Sequence, residues 1–221
     1  MIALRLALGG EIMKQSNGIL LLALLCAWMS FMPGGEAWAA RTLSKEIAPD
    51  VPAQTFNLLD QHAVVFFEGS GQKNLLLIAD VFCTKSRKTY DLLKKNMQYI
   101  RSLKVLLVAR YPESESDIVA SHVLRMHAAG KGGPALDSAF NLDITRDGDF
   151  KARREALINT FQRELGENEK ADIPTELETV RRNTEITREV EYSGTPHIIV
   201  GNRVLHGYSR AAIRIMLKQD L

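Results

Sequence analysis

Two short segments of this 221-residue chain could do chemistry: Cys83-Thr84-Lys85-Ser86 and, far along the sequence, Gly194-Thr195-Pro196-His197. A cysteine sulfur becomes a nucleophile when ionised, and the thiolate form is favoured beside positive charge or unpaired backbone N–H groups. Ser86 carries a hydroxyl, which is far too weak an acid to act as a second thiol but is able to donate a hydrogen bond to a thiolate. His197 is placed either to assist Cys83 in proton transfer or to point away from it along a strand, and His206 reads as a surface residue. Asp80, three residues before Cys83, is either a group that tunes the thiol or an ordinary strand-end acid. His62, His122 and His127 have no metal-ligand spacing in company with Cys83, so no metal is expected. Neither a Ser-His-Asp arrangement nor a phosphate-binding glycine loop is evident, and no cofactor is expected.

The elements around these residues decide what they can do. Ala63-Val64-Val65-Phe66-Phe67 and the run Leu75 to Phe82 read as two strands joined by the turn Gly69 to Lys73, the second unbroken by polar residues until Asp80 and so buried on both faces. Leu92, Leu93, Met97, Ile100 and Leu103 follow at helical spacing, which puts Cys83 at a strand-to-helix junction. There the helix dipole and orphan N–H groups favour thiolate, and Lys85, Arg87 and Lys88 add positive charge. The next strand, Val105 to Ala109, lies parallel to the previous one by a right-handed crossover. Ser114-Glu115-Ser116-Asp117 opens a further helix that ends near Gly130, and a shorter helical piece surrounds Pro134 to Phe140. The chain closes with a hairpin, Gly194 to Val200 and Arg203 to Tyr208 around a Gly201-Asn202 turn, and a helix from Ser209 to Lys218.

About 141–191 the composition changes, with charged residues nearly twice as dense as the chain-wide 24%. This reads as a solvated helical insertion. Phe150, Leu157, Phe161 and Leu165 make one apolar stripe, and Leu177, Val180 and Val190 another after the capping box Thr175-Glu176-Leu177-Glu178. Such a pair covers one end of a core or offers a face to a partner.

The N-terminus reads as an export signal. Lys14 precedes the apolar run Ile19 to Trp28, Pro33-Gly34-Gly35 breaks it, and Ala37-Trp38-Ala39 offers a cleavage site, so 1–39 is expected to be removed. Met13 serves equally as a start. The alternative, an uncleaved anchor, meets an apolar run shorter than the ~20 residues that span a bilayer; membrane contact is expected only through this segment before cleavage. Removal takes Cys26 with it, which leaves Cys83 alone and rules out a disulfide within one chain. A lone thiol sent to an oxidising compartment is either buried as a small hydrophobe or kept for reactivity. The polar stretch 40–62, with Pro49 and Pro52, reads as a lead-in arm, and 63–221 as one domain. A formal net charge of +2 and 46% hydrophobic residues describe an ordinary globular protein with no electrostatic case for nucleic acid.

Asp80-Val81-Phe82-Cys83-Thr84-Lys85-Ser86 after a buried strand, Gly194-Thr195-Pro196 before the terminal hairpin and Gly207-Tyr208 closing it resemble an α/β thioredoxin-like fold with a charged helical insertion. Within that fold the chain is most similar to the catalytic domain of the bacterial periplasmic disulfide isomerases DsbC and DsbG, and more distantly to DsbA. The resemblance implies a periplasmic location, an aspartate at Asp80 that tunes the site, and a Thr195-cis-Pro196 loop against the sulfur that binds substrate. It departs where the family has Cys-x-x-Cys and this chain has Ser86, and where the isomerases carry an N-terminal dimerisation domain.

A thiolate attacks a disulfide and is released through a mixed disulfide. Cys83 is able to attack, but Ser86 is unable to resolve the intermediate. The expectation is therefore an exported thiol–disulfide exchange protein of monothiol type, isomerase- or reductase-like. Its partners would be exported cysteine-containing proteins, a small thiol such as glutathione, or a redox protein. Two alternatives remain: a redox-inactive adaptor that binds a partner in the bacterial envelope, and a tether that holds a second chain by a lasting disulfide.

Overall fold

In a computed structural model the structure describes residues 47–48, 51–111, 114–142, 155–156, 159, 163 and 176–218. The export signal, the Phe150-to-Leu165 stripe and the Thr175 cap lie outside the described residues, apart from isolated helical positions. Among the described residues the frame is built of strands β1 (Ile47–Ala48), β2 (Val64–Glu68), β3 (Lys73–Ala79), β4 (Ile100–Leu107), β5 (His197–Val200) and β6 (Arg203–His206), and helices α1 (Ala53–His62), α2 (Thr84–Lys94), α3 (Glu115–Ala128), α4 (Gly132–Asn141), α5 (Glu176–Glu189) and α6 (Arg210–Lys218). The strands form one six-stranded sheet in the order β1-β6-β5-β3-β4-β2. Only β3 and β4 run parallel, with Leu77 opposite Val105; β5 crosses β3 antiparallel, with Leu77 opposite Ile198.

The apolar run at β3 holds the centre of the sheet as its composition predicts, with Leu75 through Ala79 all buried. Successive side chains of a strand face opposite ways. Leu76 and Ile78 therefore share a layer with Leu106, Val108 and Ile199, together with Leu59 of α1 and Ile186 of α5. The alternate set, Leu77, Val105 and Leu107, is equally buried on the other face. Helix α6 adds a stripe of Ala212, Ile213, Met216 and Leu217 at helical spacing.

The strands β2 and β3 are consecutive in the chain, as read from the sequence, and β4 lies between them in the sheet. Two expectations are corrected. The strand expected at 105–109 begins at Ile100, where the 3-10 turn Met97–Tyr99 hands over directly to it. Of the stretch 40–62, read as an arm, the described residues 47–48 and 51–62 belong to the compact unit Lys45–Leu221. Its two-residue β1 pairs with β6, and α1 buries Leu59 and holds Lys104 of β4 through Asp60, whose two oxygens lie 2.7 Å from Nζ. Its single deeply buried leucine among polar neighbours gave periodicity little to register.

Helix α3 starts where the Ser114-Glu115-Ser116-Asp117 run predicts. The Ser114 side chain accepts from the Asp117 N–H at 3.3 Å, and Glu115 and Asp117 sit at the positive end of the dipole. Ser114→Ala is expected to cost about 1 kcal/mol in urea-induced unfolding, the usual worth of such a cap; an unchanged midpoint would mean that water replaces the hydroxyl.

Candidate active site

The sulfur sits at the junction of the central strand and its helix. Cys83 is the N-cap of α2, half-buried, with extended backbone (φ −76°, ψ 118°). Its N–H donates to the Asp80 carbonyl at 3.0 Å and its carbonyl accepts from the Arg87 N–H at 3.0 Å, so one turn ends and the helix begins at the same residue. The Thr195–Pro196 peptide is cis, and it brings the Thr195 carbonyl to 3.4 Å from Sγ, where it accepts the thiol proton. The loop is fixed from behind, where the Gly207 N–H donates to the Pro196 carbonyl at 2.8 Å. Gly207 has φ +80°, in the region that favours glycine.

Burial, the largest influence on the Cys83 thiol, pushes its pKa up. It is outweighed by donors gathered around the sulfur: the Thr195 hydroxyl, the Ser86 N–H and hydroxyl, and the Lys85 N–H together bring the pKa below its ordinary 9.0. Ser86 is fully buried and its hydroxyl has no hydrogen-bond partner among the described residues, which leaves it available to a thiolate. The donors are thus the hydroxyl of the Thr195 loop and groups of the α2 start, and no charged side chain is among the causes of the shift. Arg87 is spent on structure: it donates from Nε to the Val81 carbonyl at 2.8 Å and from its terminal nitrogens to the Leu142 and Ala139 carbonyls at the end of α4. Lys85 acts through its backbone.

Asp80 is buried, as expected at a strand end, and its carboxylate organises loops. It accepts from the Phe82 N–H at 2.8 Å, from the Arg110 N–H at 3.2 Å and from the Ser116 hydroxyl. None of these partners is Cys83. His197 is turned away from the thiol: its Nδ1 meets Nδ1 of His206 at 2.8 Å across the hairpin, and its ring stacks on Tyr192 at 5.3 Å. His206 is exposed, as read from the sequence, yet paired. Burial first, and then the charge of His206, pull the His197 pKa down to about 4.

Beside Cys83 opens a cavity of about 1030 Å³. Asp80, Phe82, Thr84 and Lys85 line it from the Cys83 side, Val108 to Tyr111 from the end of β4, Thr184 and Arg188 from α5, and Gly194 and Thr195 from the loop. Helix α5 is pinned there by polar contacts: Asn183 Nδ2 donates to the Leu107 carbonyl at 3.0 Å, and Thr184 Oγ1 accepts from the Ala109 N–H at 3.1 Å. The charged segment thereby supplies a wall of the site. Arg110, Tyr111 and Arg188 were not singled out in the sequence. The usable signal was positional, since ligands gather at the carboxyl ends of parallel strands, where Arg110 and Tyr111 stand after β4.

No family model matches the chain, and no curated protein matches it in sequence. Solved structures do match. A periplasmic thioredoxin-like protein from Salmonella enterica serovar Typhimurium aligns over 77% of this chain and 100% of its own, at 16% identity and a TM-score of 0.58. The catalytic domain of Proteus mirabilis ScsC aligns over 75% of this chain and 94% of its own, at 16% identity and a TM-score of 0.60. A thioredoxin-like oxidoreductase from Silicibacter pomeroyi aligns over 76% and 96%, at 14% identity and a TM-score of 0.55. At such identities the likeness defines the fold, which is thioredoxin-like with helices inserted between β4 and β5.

Proposed function

We propose that the chain is a thiol–disulfide exchange protein of the bacterial envelope, isomerase- or reductase-like, that acts through Cys83 alone. The observation that carries this reading is the ring of donors around a half-buried Sγ, which lowers its pKa against the pull of burial. In the reaction the Cys83 thiolate attacks one sulfur of a substrate disulfide, that S–S bond breaks, and the other sulfur leaves as thiolate. The mixed disulfide is then displaced by the substrate's own thiol, which completes an isomerisation, or by an outside thiol, after which a second equivalent of that thiol frees the substrate sulfur as thiolate, forms the outside disulfide and completes a reduction. Ser86 holds the thiolate by a hydrogen bond and takes no part in resolution. Backbone groups of the Thr195–Pro196 loop pair with an extended substrate chain, as a sheet edge does. Substrates on this reading are exported cysteine-containing proteins; the export pattern at 1–39 and the periplasmic origin of the Salmonella neighbour favour that compartment.

The test is the ultraviolet absorbance of thiolate against pH in the protein without its signal, with Cys83→Ser as blank. The midpoint is expected below 9.0. A midpoint at or above it would mean a site not prepared for attack, and would favour the second reading, a binding adaptor. The buried Ser86 in place of a second thiol is the observation on that side.

A further inference from the structure

Resting on the exchange reading, the distribution of charge in the Cys83 cavity goes a step further and narrows the partner. Three cations line this space: Lys85, Arg110 and Arg188, all exposed. Among the described residues none of the three makes an ion pair; Arg110 only lies over the Tyr111 ring, 5.3 Å from its centroid. Two acids line the same space and neither answers them. Asp80 accepts from three neutral donors, and Glu115 has an interaction of its own. The start of α2 adds the positive end of its dipole at the sulfur. With three cations against two acids and the dipole at the sulfur, the cleft has an excess of positive charge, which concentrates ligands of the other sign. Its volume lies at the upper end of small-molecule sites, and Tyr111, 60% exposed, adds an aromatic face.

We infer that the cavity receives a low-mass thiol bearing carboxylates, of the glutathione class, and that this thiol is the resolving partner the chain lacks. Cys83 thiolate attacks a disulfide, one thiolate leaves, and Cys83 is held as a mixed disulfide. The anionic thiolate, drawn in by Arg110 and Arg188, attacks a sulfur of that bond. When the substrate-side sulfur is attacked, Cys83 leaves as thiolate and the incoming thiol is joined to that substrate sulfur as a new disulfide; one disulfide has been broken and one formed, so no further oxidant or reductant is consumed. A small molecule suits the step because the sulfur is half-buried and already carries one substrate when the second must arrive.

The test compares rate constants for modification of Cys83 by glutathione disulfide and by neutral hydroxyethyl disulfide, followed by mass, in the wild-type protein and in an Arg110→Glu/Arg188→Glu variant whose folding is checked by circular dichroism. The ratio of the two rate constants is expected to fall about tenfold in the variant, and to fall with added salt in the wild type. A ratio that does not move, with both reagents reacting, overturns the anionic-thiol inference and leaves the exchange reading standing. A ratio that does not move for glutathione disulfide but falls for a disulfide carried in an acidic peptide also overturns it, and assigns the cations to a polypeptide. Failure of both reagents to react overturns the exchange reading, and the inference falls with it.

Discussion

Replacing Ser86 with cysteine is expected to turn a site that stores no disulfide into one that does. Ser86 is fully buried in the first turn of α2, three residues after Cys83, and its hydroxyl helps to lower the Cys83 pKa. A thiol there would attack the mixed disulfide from within the same helix turn. Intramolecular attack profits from high effective concentration, so the lifetime of a mixed disulfide with a model thiol should drop on the order of a hundredfold or more. After oxidation the Ser86→Cys chain without its signal should lose two titratable thiols, and should then oxidise a dithiol substrate that the wild type leaves reduced. Cys83→Ser alone should form no mixed disulfide. If Ser86→Cys keeps both thiols free under oxidising conditions, the two side chains do not approach as argued, and the monothiol mechanism loses its structural basis.

The second large effect concerns stability against pH. His197 is 6% exposed, and its Nδ1 faces Nδ1 of His206 at 2.8 Å. Only one of two facing nitrogens is able to carry a proton, and burial opposes a charge on His197 in any case. With a folded pKa of about 4 against an ordinary 6.5, the unfolded chain takes up a proton between those values that the folded chain refuses. The stabilisation is therefore fully present above pH 6.5 and is lost as pH falls through the window to about 4. The loss is on the order of 3 kcal/mol at about 1.4 kcal/mol per pK unit. His197→Phe, which keeps a ring stacked on Tyr192, should flatten the slope of unfolding free energy between pH 6.5 and 4. Equal slopes in the two proteins would assign the acid sensitivity to other groups.

Much of this arrangement was legible in the residues. The unbroken apolar run of β3, the cysteine at its end and the Gly-Asn hairpin follow from local pattern, because burial on two faces and turn chemistry leave marks in neighbouring residues. What escaped were facts of tertiary placement. Arg87 looked like a charge for the thiol, yet three carbonyls claim it, two of them at the C-terminal end of α4. His197 was two-sided in the sequence; its partner nine residues on became visible only with the register that sets His197 against His206. Helix α1 carries too few apolar residues for periodicity to find, and Arg188 reached the cavity only because Asn183 and Thr184 fasten α5 to the end of β4.

The bonds of Arg87 also bear on how the molecule breathes. Its guanidinium joins the loop before Cys83, at Val81, to the last turn of α4, at Ala139 and Leu142. When the end of α4 opens, two of those three acceptors leave together, and the first turn of α2 loses a tie one turn away from the sulfur. Amides of these two helix ends should accordingly exchange with solvent as one cooperative unit, and the reactivity of Cys83 would rise and fall with a fraying event in a helix that never touches it.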